Sequence, residues 1–422
     1  MTRKRFAPLW LGAALTAVAL TLSACSIGAK PLSVVTAGAG HDDGSPDSPD
    51  SPGSTAPGRL LSAEPIHTAA ALPGAAATYS VRYVSSDDSG HPIIVTGLIS
   101  LPRGEAPRGG WPVLSWAHGT TGVVPACQPS QDTSTGLDHD YLGRIDLTLT
   151  SWVNQGYVVA QTDYASFNGI QPYLDGKVQA NNVIDIAVAA HQLSRQVGTR
   201  WFVAGHSQGG QAALFTAALA QARAPQLKFL GAVAMAPASH TGIIVSALLA
   251  NVPGASAGLP FIPVILLGAQ AADPAVQPSQ LLTPTGMQLL AQARTGCLSQ
   301  LRDYVIANGL TIPEVLNTAS PNWAVLQSWL SGQEPASYPP TAPVFIAQGS
   351  ADTQVAAVFT NGLATSLCTS GTPLDYHLYT SVNHRGSVEA SFVDYSNWLA
   401  QIRSGATPPS TCASGPIVAN SP

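Results

Sequence analysis

Charge is scarce in this chain. Asp, Glu, Lys and Arg make up only 10% of its 422 residues, against roughly 25% in ordinary soluble domains. The net charge is -5, and no basic cluster occurs beyond Arg3, Lys4 and Arg5. That argues against a nucleic-acid partner, because binding phosphates needs a positive patch. Cys-x-x-Cys pairs and Cys/His pairs at zinc spacing are absent, so no metal and no cofactor is expected. No internal repeat is visible, only the short low-complexity run "SPDSPDSPG". The length suits one large domain with an insertion, or two domains.

Apolar residues first gather behind the three N-terminal cations. "FAPLWLGAALTAVALTL" reads as the apolar region of a signal peptide over residues 1–24, too short and wrongly flanked for a mature membrane span. "LSAC", residues 22–25, resembles the lipobox of bacterial lipoproteins, in which cleavage precedes a cysteine that then receives a lipid. The expectation is an exported protein held by a lipid on Cys25 at the bacterial cell surface or membrane, with a secreted form as the alternative. The rest of residues 25–58 is rich in Ser, Pro, Asp and Gly, the composition of a disordered tether.

With Cys25 assigned to the anchor, Cys127, Cys297, Cys368 and Cys412 remain. An even number in an exported chain predicts two disulfides, with three connectivities open.

From about residue 78 short apolar runs alternate with helical patterns. Strands are predicted at "TYSVRYVSS", "HPIIVTGLISLP", "WPVLSWAHG", "GYVVAQTDY", "RWFVAGHS", "LGAVAMAPA", "APVFIAQGS" and "LDYHLYTS". Most of the middle ones are continuously apolar, the mark of strands covered on both faces. Helices are predicted at "LTLTSWVNQG", "KVQANNVIDIAVAAHQLSRQVG", "GQAALFTAALAQARA" and "SFVDYSNWLAQIRSG". The fold class is therefore α/β, a mostly parallel central sheet with helices on both faces. Residues 238–340 break the rhythm with Leu/Ala/Pro-rich segments such as "IIVSALLANVPG" and "LPFIPVILLGAQ". About 100 residues far exceeds an ordinary connection, so an inserted helical cap is expected there. Such a run serves either as core or as a lipid-binding cover. The core would occupy 59–237 and 341–412, leaving 413–422 as a tail.

"VAGHSQGGQAAL" places Ser207 between a predicted strand and a predicted helix, with Gly205 before it and Gly209 after it. In that context Gly-x-Ser-x-Gly makes a sharp turn that lifts the serine hydroxyl above the sheet edge, near the free N–H groups of the helix. A serine hydroxyl needs a base, and the base an orienting acid. Asp352 follows the strand in "APVFIAQGSADTQV", and His384 follows the next in "LDYHLYTSVNHRGSV", with Gly386 beside it for a close backbone approach. Asp163 precedes the serine and reads as a structural carboxylate. His206 is expected to point away from the nucleophile into the sheet edge. Asp138, His139 and Asp140 read as a solvated loop, and Asp375 and Asp394 lie outside the acid loop. For the oxyanion, the Gln208 N–H is the first expected donor. Thr120 N–H in "SWAHGTTG" is the second, with Gly119 and Thr121 close behind. His118 is expected to pack or hydrogen-bond in that loop.

"HGTTG", "GHSQGGQAAL", "GSADTQV", "VNHRGS" and "YLDGKVQANNVIDIAVAA" resemble the bacterial branch of the secretory lipase family, α/β-hydrolases related to a yeast lipase of the A type. The resemblance runs from about residue 60 to 412. It implies the α/β-hydrolase fold with a cap after the sixth strand. It also implies pairing of Cys127 with Cys297, tying the oxyanion side to the cap, and of Cys368 with Cys412, holding the C-terminal tail. The chain departs from the yeast member in its oxyanion loop, which is less acidic. Together these features predict a carboxylic ester hydrolase of lipase or esterase type acting on acyl esters or lipids, monomeric by default. The competing readings are an acyltransferase with the same triad, a peptidase or amidase on this fold, and an inactive surface binding protein.

Overall fold

The computed structural model describes residues 54–420 apart from 341. The expected signal peptide, Cys25 and nearly all of the expected tether lie outside the described residues. Ten strands form one sheet: β1 Leu60–Ile66, β2 Ala77–Ser86, β3 Pro92–Leu101, β4 Trp111–Ala117, β5 Val158–Thr162, β6 Val197–His206, β7 Lys228–Met235, β8 Val344–Gly349, β9 Leu374–Thr380 and β10 Ile417–Asn420. Their spatial order is β1-β2-β3-β5-β4-β6-β7-β8-β9-β10. The first three run antiparallel, β3 pairs antiparallel with β5, and every later pairing is parallel.

Burial explains the lack of alternation in the central strands. Every residue of β4, β5 and β8 is buried, because helices cover both faces of the sheet. Within β4, Leu114 and Trp116 face a core shared with Ile145, Leu149 and Trp152 of α1 (His139–Asn154) and with Tyr395 and Trp398 of a C-terminal helix. Ser115, on the opposite face, donates to the Val183 carbonyl of α2 (Gly176–Leu193) at 2.8 Å. The third helix, α3 (Gln208–Arg223), packs beside α2.

Between β7 and β8 the chain forms α4 Thr241–Leu249, α5 Ile262–Ala272, α6 Pro278–Leu281, α7 Pro284–Ala293, α8 Leu298–Ala307, α9 Ile312–Val315 and α10 Asn322–Ser331. These helices share an apolar core of their own, which also takes in Val123, Val124, Tyr173 and Leu174 from the sheet's loops. The run "IPVILLGA" at the start of α5 is buried throughout, so it packs this core. After β8 come α11 Ala357–Thr369, α12 Gly386–Ala390 and α13 Phe392–Arg403. Cys127 is bonded to Cys297 and Cys368 to Cys412. The first bond joins the loop after β4 to the residue before α8.

Four expectations are corrected. Residues 417–420 are no loose tail: they pair in parallel with His377–Thr380 as β10. The strand β1 went unread because Pro65 interrupts the run "LLSAEPI" and marks it as an edge strand at most, none of whose residues is buried. The pattern read as helix through Gly198 stops at Leu193, since Ser194 turns extended and Val197 already opens β6. Asp138, His139 and Asp140 open α1 instead of forming a solvated loop. Asp138 is 7% exposed, and His139 Nδ1 lies 2.7 Å from Asp132 Oδ2.

Candidate active site

In an open parallel sheet, sites form beyond the carboxyl ends of the strands, where the order of strands reverses. Here β4 has β5 on one side and β6 on the other, and the loops after β4, β6, β8 and β9 carry the candidate residues. Ser207 sits between β6 and α3 with φ 60° and ψ -117°, a backbone conformation that costs a non-glycine residue free energy and survives only where its surroundings enforce it. The enforcement is visible in its bonds. Ser207 N donates to the Met235 carbonyl at 2.9 Å, while its own carbonyl accepts from Ala238 N and Gln211 N. Both flanking glycines are required. A Cβ on Gly209 would lie 1.8 Å from the Ala117 carbonyl oxygen, and one on Gly205 would lie 2.1 Å from that of Gly209.

His384 and Asp352 meet after β9 and β8. The imidazole Nδ1 lies 2.7 Å from Asp352 Oδ2; a carboxylate only accepts, so Nδ1 carries the hydrogen and Nε2 is left as the basic nitrogen. The carboxylate is well held. Its Oδ1 accepts from the Gln354 and Val355 N–H groups at 2.8 and 2.9 Å, and its Oδ2 from Gln348 Nε2 at 3.0 Å. Burial pushes its pKa up, but the His384 hydrogen bond and charge and the two backbone N–H groups outweigh burial and hold the carboxyl below its ordinary value. Ser207 and His384 line one cavity of about 220 Å³. Among the described residues the Ser207 hydroxyl makes no hydrogen bond to the imidazole; such bonds commonly tighten only once substrate is in place.

Sequence reasoning missed two supporting residues. Gln348, fully buried at the end of β8, donates to the Gly349 and Val355 carbonyls as well as to Asp352, and accepts from Thr360. A lone polar residue in the apolar run "VFIAQG" was the available signal. His206 is the second, expected only to point away from the nucleophile and given no further role. Its ring packs 4.6 Å from that of His384, and its Nε2 donates to the His384 carbonyl at 3.0 Å. Its Nδ1 therefore accepts, from the Tyr141 hydroxyl at 3.0 Å, and that hydroxyl accepts from Gly119 N at 3.1 Å. Burial, then the neighbouring His384, lowers the His206 pKa to about 3, so it stays neutral. One chain of hydrogen bonds thus links the loop after β4, the residue before Ser207 and the loop carrying His384.

That chain commits the Gly119 N–H to Tyr141 in this structure. Thr120 lines a small recess beside Ser207, and its hydroxyl is 2.8 Å from the Tyr173 hydroxyl. Gln208 opens α3, where first-turn N–H groups have no partner within the helix. Thr121 has its carbonyl bound by Leu298 N at 2.8 Å. His118 packs tilted against the Tyr164 ring at 4.4 Å and donates from Nδ1 to the Gly119 carbonyl at 2.7 Å; burial lowers its pKa to about 4. Gly386 is also corrected. A Cβ there would meet only side-chain atoms, the nearest at 3.2 Å, whereas at Gly349 it would lie 2.2 Å from the Val382 carbonyl. Asp163 is buried and bonded to Thr96 and Ser130. Asp375 lies 3.1 Å from His377, and Asp394 accepts from Tyr379.

A mostly parallel sheet covered on both faces, a serine on a strained strand-to-helix turn and a helical insertion after β7 define an α/β-hydrolase. A family profile for secretory lipases matches residues 141–408. The chain belongs to the secretory lipase family and is a carboxylic ester hydrolase. Its structure is similar to that of Candida antarctica lipase A in its closed state, at 20% identity and a TM-score of 0.70 over 86% of each chain. It is also similar to the ligand-bound rice cell wall degrading esterase LipA from Xanthomonas oryzae, at 18% identity and 0.60, covering 82% of this chain and 97% of that one. No curated protein matches the chain in sequence.

Proposed function

We propose that the protein hydrolyses apolar acyl esters through an acyl-enzyme on Ser207. The observation that carries this reading is a serine on an enforced positive-φ turn, sharing a cavity with an imidazole whose Nδ1–H is bound to a buried carboxylate. His384 Nε2 takes the proton of Ser207 as its Oγ attacks the ester carbonyl, and Asp352 stabilises the imidazolium. The Gln208 and Thr120 N–H groups receive the oxyanion, each worth roughly 2.7–4 kcal/mol. His384 then returns the proton to the departing alcohol, and a water activated in the same way releases the acid. No residue lining the cavity carries a formal charge other than through His384, and Leu174, Ile244, Leu248, Phe261 and Phe359 among them offer an acyl chain apolar contact. With p-nitrophenyl butyrate, Ser207→Ala is expected to lower kcat by about a thousandfold or more at unchanged thermal stability. Wild-type turnover in the variant would refute the assignment.

The N-terminal sequence supports export and lipid attachment at Cys25, which would keep the enzyme at a membrane surface. A Cys25→Ala chain should move from the detergent to the aqueous phase on detergent phase separation; retention in the detergent phase would count against the anchor.

A further inference from the structure

Ser207 and His384 stand where two recesses meet. The larger is the uncharged cavity. The smaller shares Ser207, His384, Phe261 and Gln354 with it and adds Thr120, Arg302 and Arg385. Cations are rare in this region: Arg294 and Arg302 are the only Lys or Arg residues between 238 and 340. Yet one of them reaches this recess from α8, and Arg385 follows His384 directly. Each guanidinium lies over an aromatic ring, Arg302 at 5.4 Å from the centroid of Phe261 and Arg385 at 5.1 Å from that of Tyr141. Arg302 also donates to Gln354 Oε1 at 2.9 Å. These contacts hold the arginines in place without neutralising them.

Among the described residues neither arginine forms an ion pair with a carboxylate. Asp138 is the acid whose field reaches both; burial raises its carboxyl to about 6, against the lowering effect of a Ser299 hydrogen bond and of the two arginines. The two cations also oppose each other: burial and then Arg385 lower the pKa of Arg302. Two half-buried guanidinium groups beside the reacting atoms, each able to bond an anion in a planar fork, favour a negative group between them. The acyl chain takes the larger uncharged cavity, which leaves the smaller recess to the alcohol portion of the ester.

We propose that Arg302 and Arg385 form an anion-binding subsite for the alcohol portion, so that preferred substrates carry a carboxylate or phosphate close to the scissile bond. This rests on Ser207 as the nucleophile. The test compares kcat/KM within two matched pairs: the butyric ester of glycolate against that of glycolamide, and 1-butyrylglycerol 3-phosphate against 1-butyrylglycerol. Because charge-assisted hydrogen bonds are strong, the anionic member should be favoured about tenfold or more in at least one pair; the pair with the larger ratio identifies the anion. Arg302→Gln and Arg385→Gln should each bring that ratio toward one, mainly through KM, while Arg302→Lys retains part of it. The ratio is taken within one preparation, so partial unfolding cancels. Ratios near one in the wild type, or ratios unmoved in both Gln variants, would overturn the subsite alone. Failure of the wild type to hydrolyse any of the four esters would likewise overturn the subsite, whereas wild-type turnover by Ser207→Ala would overturn the nucleophile assignment with it.

Discussion

His206 shows how a residue next to Ser207 can serve the site without touching substrate. Its neutral ring holds the His384 carbonyl on one side and the Tyr141 hydroxyl on the other. In the unfolded chain it would titrate near 6.5, and in the folded chain near 3. The unfolded state therefore binds the extra proton across that window, and this residue's contribution to stability falls as pH falls through it. Between about pH 5.5 and 4 the wild type should lose about 1.4 kcal/mol per pH unit more than His206→Gln, measured by urea unfolding followed through tryptophan fluorescence. Parallel slopes would mean that His206 is protonated in the native state. Tyr141→Phe strips the Gly119 N–H and the His206 Nδ1 of their partner at once. A buried polar group left unsatisfied costs about 1–3 kcal/mol, so the same unfolding assay should register a loss of that order or larger. None of this was legible beforehand, because adjacency to the serine says nothing about what lies across the sheet edge from the ring. Asp352 and His384, in contrast, could be selected as candidates from sequence, since each follows a recognisable apolar strand.

At the scale of elements, the insertion between β7 and β8 is joined to the site by two bonds of different kinds. Cys297, just before α8, is linked to Cys127, and the next residue, Leu298, donates to the Thr121 carbonyl. The loop bearing Thr120 is thus held by the insertion as well as by its own strand. The bridge spans 170 residues, and removing a native disulfide typically costs about 2–5 kcal/mol. Cys127→Ala/Cys297→Ala should lose stability in that range and also slow ester hydrolysis, because Thr120 is then less firmly placed. Cys368→Ala/Cys412→Ala, closing only 44 residues at the far edge of the sheet, should lose stability with kcat preserved. Equal effects of the two pairs on kcat would show that the first bridge does not position the loop. The insertion announced itself in sequence by its length and lack of alternation. Its helix boundaries did not, because a nearly uniform Leu/Ala/Ile composition carries no periodic contrast.

At the scale of the whole molecule, the scarcity of charge has a structural counterpart. The sheet's helices bury one apolar core, and the insertion buries another of its own. Cations are few enough for the half-buried Arg302 and Arg385 to stand out beside Ser207. The sequence by itself determined the α/β class, the turn bearing Ser207, the choice of Asp352 and His384 as candidates, and the existence of an insertion. All of these depend on local signals: continuous apolar strands, glycines that a sharp turn requires, and a break in periodicity. Only the tertiary structure decided that Gly119 is spent on Tyr141, that His206 and Gln348 brace the histidine and the acid, that the chain's end becomes a tenth strand, and that two arginines converge next to the serine. Each of these is a contact between residues far apart in the chain, and distance along a sequence carries no record of which side chains the packing will bring within a few ångströms of one another.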